Sequence, residues 1–398
     1  MIIVELKFSL SVLVLSMVLG ILVVLCFIST GMMERLLIIG ITLLIVYFLK
    51  NARKYTIKIW IILFVGLVVG TQIVSYSLNL VNIEKQESYD NLNPSAEIAI
   101  LLIYPGEPQH YDLIETVGII KRRIPLIKAF SFPFHLLRNK IAYEKMGISR
   151  YNEISKKIRD QLSLDLDQGY DVYMAYYYTQ PDYKSFLNEV FEEKAYKKII
   201  IAPVYLSESK EYLEMVREIE IQNSSRREIQ IKYVSPLWES EKITKGILHQ
   251  INEMNMTQNK TDLGIVLTDL RMNDNIQKYD LNARNQERVF MERIKLLLVE
   301  GGYEERKIKL SDFHDTSKAL AEPIAELQQY GVSNIYIIGI NDIWCFINEN
   351  YKVQRIINKM KDKYDLKLFY VEGWGLEKWV VEELEFRIRF LNVQGWND

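Results

Sequence analysis

Apolar and polar positions alternate in two regimes along this chain. Up to residue 83, charged side chains are absent from three stretches: Phe8 to Met33, Leu36 to Leu49 and Ile59 to Ile83. The first and third exceed the roughly 20 residues that cross about 30 Å of hydrocarbon. The second is shorter, and spans with the help of Met32, Met33 and a snorkelling Arg35. The pattern therefore predicts three transmembrane helices in residues 1–83. The first run is too long for the apolar core of a cleaved signal peptide and lacks a following small-x-small site.

Beyond a polar linker, EKQESYDNLNPSAE (84–97), short β-rich apolar runs alternate with longer amphipathic stretches. Strands are expected at 98–104, 170–178, 197–205, 229–235, 263–269, 306–312, 334–340 and 366–372. Most are continuously apolar, as in strands covered on both faces. Helices are expected at 151–162, 183–194, 210–222, 242–254, 286–300, 317–330 and 376–391. An internal echo divides the region: IKYVSPLWESEKITKGILHQI from Ile231 parallels LKLFYVEGWGLEKWVVEELEFRI from Leu366, each a strand, a tryptophan and a closing helix. The expected fold class is α/β, with two similar doubly wound Rossmann-like halves of mainly parallel sheet (98–258 and 259–398) behind an all-α membrane region. Ligands of such sheets sit beyond the carboxyl ends of the strands, so the loops that matter begin at Tyr104, Tyr178, Pro203, Asp269 and Gly339.

Charge sharpens the division. Residues 1–83 carry six basic and two acidic side chains, and the remainder 43 basic and 49 acidic. No strongly basic face is available for phosphate neutralisation, so nucleic acid is not an expected partner; the lipid bilayer is. The loop KNARKYTIK (50–58) holds Lys50, Arg53, Lys54 and Lys58 without an acid. If that loop is cytoplasmic, residues 84–398 face out.

Candidate chemistry is sparse. Two cysteines, Cys26 and Cys345, make neither a disulfide framework nor a cysteine metal site. No glycine-rich phosphate loop follows any strand. His110, His135, His249 and His314 are scattered, none with a second histidine three or four residues away, so no metal site is expected from local sequence. Ser207 sits where the cap of the next helix belongs. Asp269 reads equally as a site carboxylate or a turn residue. In the run Tyr176, Tyr177, Tyr178, alternation turns one ring to the cleft and buries its neighbour.

The order of these motifs resembles the ferrochelatase family, over roughly residues 98–390. The resemblance rests on the strand ending at Tyr104 with its proline-glycine turn, IETVGIIKRRI (114–124), Gly147 and Ser149 before a helix, YYYTQP with Tyr178 and Pro181, and IIIAPVYLSESKEYLEMVREI with Ala202, Pro203 and Tyr205. It implies insertion of ferrous iron into a porphyrin. The departures fall on the chemistry. Val204 occupies the position of the family's metal-site histidine, and an isopropyl group offers no lone pair to iron or to a pyrrole proton. The partner glutamate falls on or near Phe346, with Glu349 three residues on, and Asp269 stands where a second-half histidine is usual.

The resemblance thus implies a membrane-anchored ferrochelatase-like domain that binds a tetrapyrrole, porphyrin or haem among them, in a cleft lined by Tyr104, Tyr178, Val204, Tyr205, Asp269, Trp344 and Phe346, and that is degenerate for iron insertion. Two alternatives stand beside it. One is an active chelatase, a lyase, whose proton acceptor is Asp269 or Glu349. The other is a non-catalytic extracytoplasmic interaction module whose cleft is filled by Val204, Trp344 and Phe346.

Overall fold

The computed structural model describes residues 2–80, 95–123, 131–193, 196–224, 229–254, 259–269, 280–311, 316–340, 342–364, 366–374 and 377–396. Its chain divides into two compact units: residues 1–85 with 110–147, and residues 86–109 with 148–398.

The first unit is all helical. Helices α1 (Ile2–Ile28), α2 (Met32–Asn51) and α3 (Ile57–Leu80) are each long and apolar enough to cross a membrane. The second span begins at Met32 rather than Leu36 and takes in Glu34 and Arg35, so a full-length helix forms where the uncharged run alone is short. Helices α1 and α3 pack with backbones in contact, which glycine permits: a Cβ on Gly70 would lie 2.1 Å from the Met17 carbonyl oxygen, and one on Gly20 2.3 Å from that of Leu67. The unit is completed by α4 (Leu113–Arg123) and α5 (Phe132–Met146). These bury Val117, Ile120, Phe132 and Leu136 against Leu25 and Ile28 of α1 and Leu78 of α3. The helix that the motif order placed at 114–124 therefore packs with the membrane helices.

The second unit holds two four-stranded parallel sheets. One comprises β1 (Ile98–Tyr104), β2 (Tyr170–Tyr176), β3 (Lys198–Pro203) and β4 (Gln230–Tyr233) in the order β2-β1-β3-β4. The other comprises β5 (Leu263–Thr268), β6 (Ile308–Ser311), β7 (Asn334–Gly339) and β8 (Lys367–Val371) in the order β6-β5-β7-β8. The identical order is the structural counterpart of the internal echo, and all eight expected strands are present. Central strands β1 and β5 are buried along their whole length, which is why their sequences do not alternate.

Helices α6 (Tyr151–Asp165), α7 (Tyr183–Glu193), α8 (Lys210–Ser224), α9 (Glu241–Met254), α10 (Asp280–Glu300), α11 (Thr316–Gln329), α12 (Ile347–Lys363) and α13 (Glu377–Val393) complete this unit. Neither α5 nor α12 is among the helices expected from the sequence, although Ile347, Val353, Ile357 and Met360 make the buried stripe of α12. Helix α13 follows the second sheet yet returns to the first half. Arg389 donates to the Asp165 carbonyl at 2.8 Å, and Lys232 to the carbonyls of Leu391 and Gly395 at 2.6 Å. The two halves are thus clasped at their carboxyl terminus.

Candidate functional site

The carboxyl ends of β1, β3 and β7 lead into three loops whose side chains meet between the two halves. Strand β1 ends in Tyr104-Pro105-Gly106-Glu107. Gly106 has φ +79°, and a Cβ there would lie 2.6 Å from the Tyr176 ring, so only glycine makes this turn. The turn carries Glu107, 6% exposed, across to the second half. Both of its carboxylate oxygens lie 3.1 Å from the backbone N–H of Ile347, the first residue of α12. The Ser149 hydroxyl donates to the same carboxylate. A buried anion is thereby held by a hydroxyl and by the positive end of a helix.

After β7, Asp342 accepts a 2.8 Å hydrogen bond from the Tyr151 hydroxyl. The Tyr151 ring packs on Phe346 with centroids 5.3 Å apart, and the Arg150 guanidinium lies 5.1 Å from the Trp344 ring. Tyr104 and Tyr151 are fully buried and Tyr205 nearly so. Burial drives all three phenols well above the ordinary tyrosine range, reinforced at Tyr104 by Tyr176, at Tyr151 by Asp342 and at Tyr205 by Tyr178 and Glu211. Near neutral pH these groups are uncharged hydrogen-bond donors. The Tyr205 hydroxyl has no partner among the described residues, nor do the Thr179 hydroxyl and the indole N–H of the fully buried Trp374.

The residues expected from sequence are dispersed over this region. Val204 is fully buried and its N–H donates to Ile103 across the sheet at 2.8 Å. Tyr178 is buried and donates to Glu211 at 2.9 Å; its neighbours Tyr176 and Tyr177 are buried as well. Trp344 is half-buried and Phe346 is 9% exposed. Asp269 is half-buried at the end of β5, and the loop after it lies outside the described residues. Glu349, buried in the first turn of α12, belongs to a different group: burial and then its charge raise the buried Cys345 thiol. Among the described residues no three His, Cys, Asp or Glu side chains come together as a metal site.

Two further expectations meet specific residues. Ser207 does not cap α8; its hydroxyl donates to the buried Glu287, and the cap is Ser209, whose Oγ accepts the Tyr212 N–H at 3.3 Å. His249 lies exposed on α9 with Glu253 3.1 Å away, His135 lies on α5, His110 is exposed, and His314 lies outside the described residues. Sequence reasoning missed Glu107, Tyr151 and Asp342. The signal for each was its position, immediately after a strand or a turn, rather than a motif.

No family model matches the sequence, and no curated protein matches it either. Among solved structures, the chain is similar to SirB from Bacillus subtilis with Fe3+, at a TM-score of 0.50 and 13% identity over 74% of this chain and 94% of that one. It is also similar to the sirohydrochlorin chelatase SirB from Bacillus subtilis subspecies spizizenii in complex with cobalt (TM-score 0.49, 10% identity, 74% and 94% covered). A multi-domain protein from Deinococcus radiodurans with structural similarity to chelatases follows (TM-score 0.47, 13% identity, 73% and 55% covered). The fold is chelatase-like. At 13% identity the likeness shows the fold alone and does not select the ferrochelatase branch within it.

Proposed function

We propose that the α/β unit is a chelatase-like binding module for a tetrapyrrole or a similar planar ligand, held at the membrane by α1–α3, in which metal insertion has been lost. The observation that carries this reading is the chemistry of the strand ends. They present neutral buried phenols, with hydroxyl and indole donors at Tyr205, Thr179 and Trp374 that lack partners among the described residues. The residue at the position of the family's metal-site histidine is the aliphatic Val204. Such a set recognises a ligand by shape and by donated hydrogen bonds, and an aliphatic side chain at position 204 takes no pyrrole proton.

The test is a titration of the full chain in detergent with porphyrin, following the Soret band, and then with ferrous iron or zinc. Binding without insertion is the expected result. Insertion overturns the loss of activity, and its abolition in Asp269→Asn or Glu349→Gln would identify the substitute proton acceptor. A flat Soret band overturns ligand binding.

One observation favours a second reading, a non-catalytic interaction module. Glu107, Ser149 and the α12 amino terminus close the two halves on each other, and Val204, Phe346 and Ile343 are all buried. On either reading the basic loop 50–58 argues for an extracytoplasmic α/β unit.

A further inference from the structure

From the helical unit we infer that α4 and α5 form an interfacial element lying in the headgroup region of the bilayer that α1–α3 cross, where they contact anionic phospholipid. The inference rests on the reading of α1–α3 as membrane spans.

Three observations converge. First, the core of the pair is continuous with the ends of two spans: Val117, Ile120, Phe132 and Leu136 pack on Leu25 and Ile28 at the end of α1 and on Leu78 at the end of α3. Those span ends mark the edge of the hydrocarbon, and the helices seated on them lie at that depth. Second, the contact is fastened by a buried cation. Lys140, with 4% of its side chain exposed, lies 2.8 Å from Glu34 at the start of α2, and its ammonium donates to the Cys26 carbonyl in the last turn of α1 at 3.5 Å. One side chain thus ties the end of the first span to the beginning of the second.

Third, each helix has a second face of mixed apolar and basic character. On α4, helical spacing aligns Ile114 with Lys121 and Arg122, opposite the buried Thr116, Val117 and Ile120. On α5 it aligns Phe134, Arg138, Ile141 and Lys145, opposite the buried Leu136 and Lys140. Ile114 and Phe134 are 42% and 54% exposed. Residues 110–147 hold seven Lys and Arg against three Asp and Glu, inside a polar part of the chain that is otherwise acidic. Large apolar side chains interleaved with cations on one face suit acyl chains and anionic headgroups together.

The experiment uses the full chain with Cys26→Ser and Cys345→Ser, reconstituted in phosphatidylcholine vesicles with and without phosphatidylglycerol. Nitroxides are placed separately at Phe134→Cys, Ile141→Cys and, as the lipid-facing reference, Phe64→Cys. Collision with oxygen is compared with collision with a water-soluble nickel chelate. The expected ratio at 134 and 141 lies between that of position 64 and that of a hydrated label, and rises when phosphatidylglycerol is present. That rise should be lost in Lys121→Gln/Arg122→Gln/Arg138→Gln. Water-like values at 134 and 141 with a lipid-like value at 64 overturn the inference alone. A water-like value at 64 overturns the membrane reading beneath it. Interfacial values indifferent to phosphatidylglycerol overturn the anionic-lipid part.

Discussion

Tyr205 buries a hydroxyl beside Val204 with no partner among the described residues. An unsatisfied buried donor costs about 1–3 kcal/mol. Tyr205→Phe should therefore leave thermal stability unchanged or raise it by about 1 kcal/mol, while weakening porphyrin binding about tenfold through the loss of one hydrogen bond. A marked fall in Tm would show that the hydroxyl is already satisfied. Glu107 behaves oppositely, since its carboxylate is fully engaged by Ser149 and Ile347. Glu107→Ala should destabilise the α/β unit by about 2–3 kcal/mol, measured by denaturant unfolding, and an effect near zero would remove the clasp from the account.

Asp171 supplies a pH dependence. Burial pushes its carboxyl up, but hydrogen bonds from the Ser95 hydroxyl and N–H, the Tyr196 hydroxyl and the Ala96 N–H outweigh burial and hold it below the usual range. A depressed carboxylate contributes stability above its unfolded pKa of about 3.9 and loses it as pH falls through the folded value. Asp171→Asn should lower Tm at neutral pH and flatten the fall of Tm on acidification below about pH 4. A parallel shift of the whole curve would rule this out.

At the scale of elements, the segment 110–147 leaves the α/β unit and returns at one place, for the Ser149 N–H donates to the Gln109 carbonyl at 2.9 Å. Its apolar face packs on the spans. Two membrane-free versions of the chain should then part company. Residues 84–398 should aggregate, because Val117, Ile120, Phe132 and Leu136 lose their cover. The same chain with 110–147 replaced by a short linker should be soluble and monomeric by size-exclusion chromatography. Equal solubility of the two would mean that α4 and α5 cover themselves. The internal echo belongs to this scale too: it was legible because each half repeats strand, turn and helix in one order. Helix α12 was hard to read from the sequence because its buried Ile347, Val353, Ile357 and Met360 are spaced thinly among charged and amide side chains.

For the whole molecule, the charge distribution sets an expectation of sidedness. With Lys50, Arg53, Lys54 and Lys58 cytoplasmic, a cysteine at Ala52→Cys in a chain lacking Cys26 and Cys345 should resist a membrane-impermeant maleimide in intact cells and react after permeabilisation. Labelling of intact cells would invert the topology. Both termini of the α/β unit then follow from α3, since an odd number of spans separates them from the amino terminus of the chain.

The three apolar helices, the eight strands and the two-half α/β class could be read before any coordinates, because each is written in local periodicity and in uninterrupted apolar length. It took the three-dimensional packing to reveal that α4 and α5 join the three apolar helices, that α13 clasps the first half, and that Glu107, Tyr151 and Asp342 meet between the sheets. Those partners are more than 40 residues apart in sequence, as in Glu107 with Ser149 and Tyr151 with Asp342. Their pairing depends on where strand ends converge, and a single carboxylate or phenol in a loop carries no periodic signal of its own.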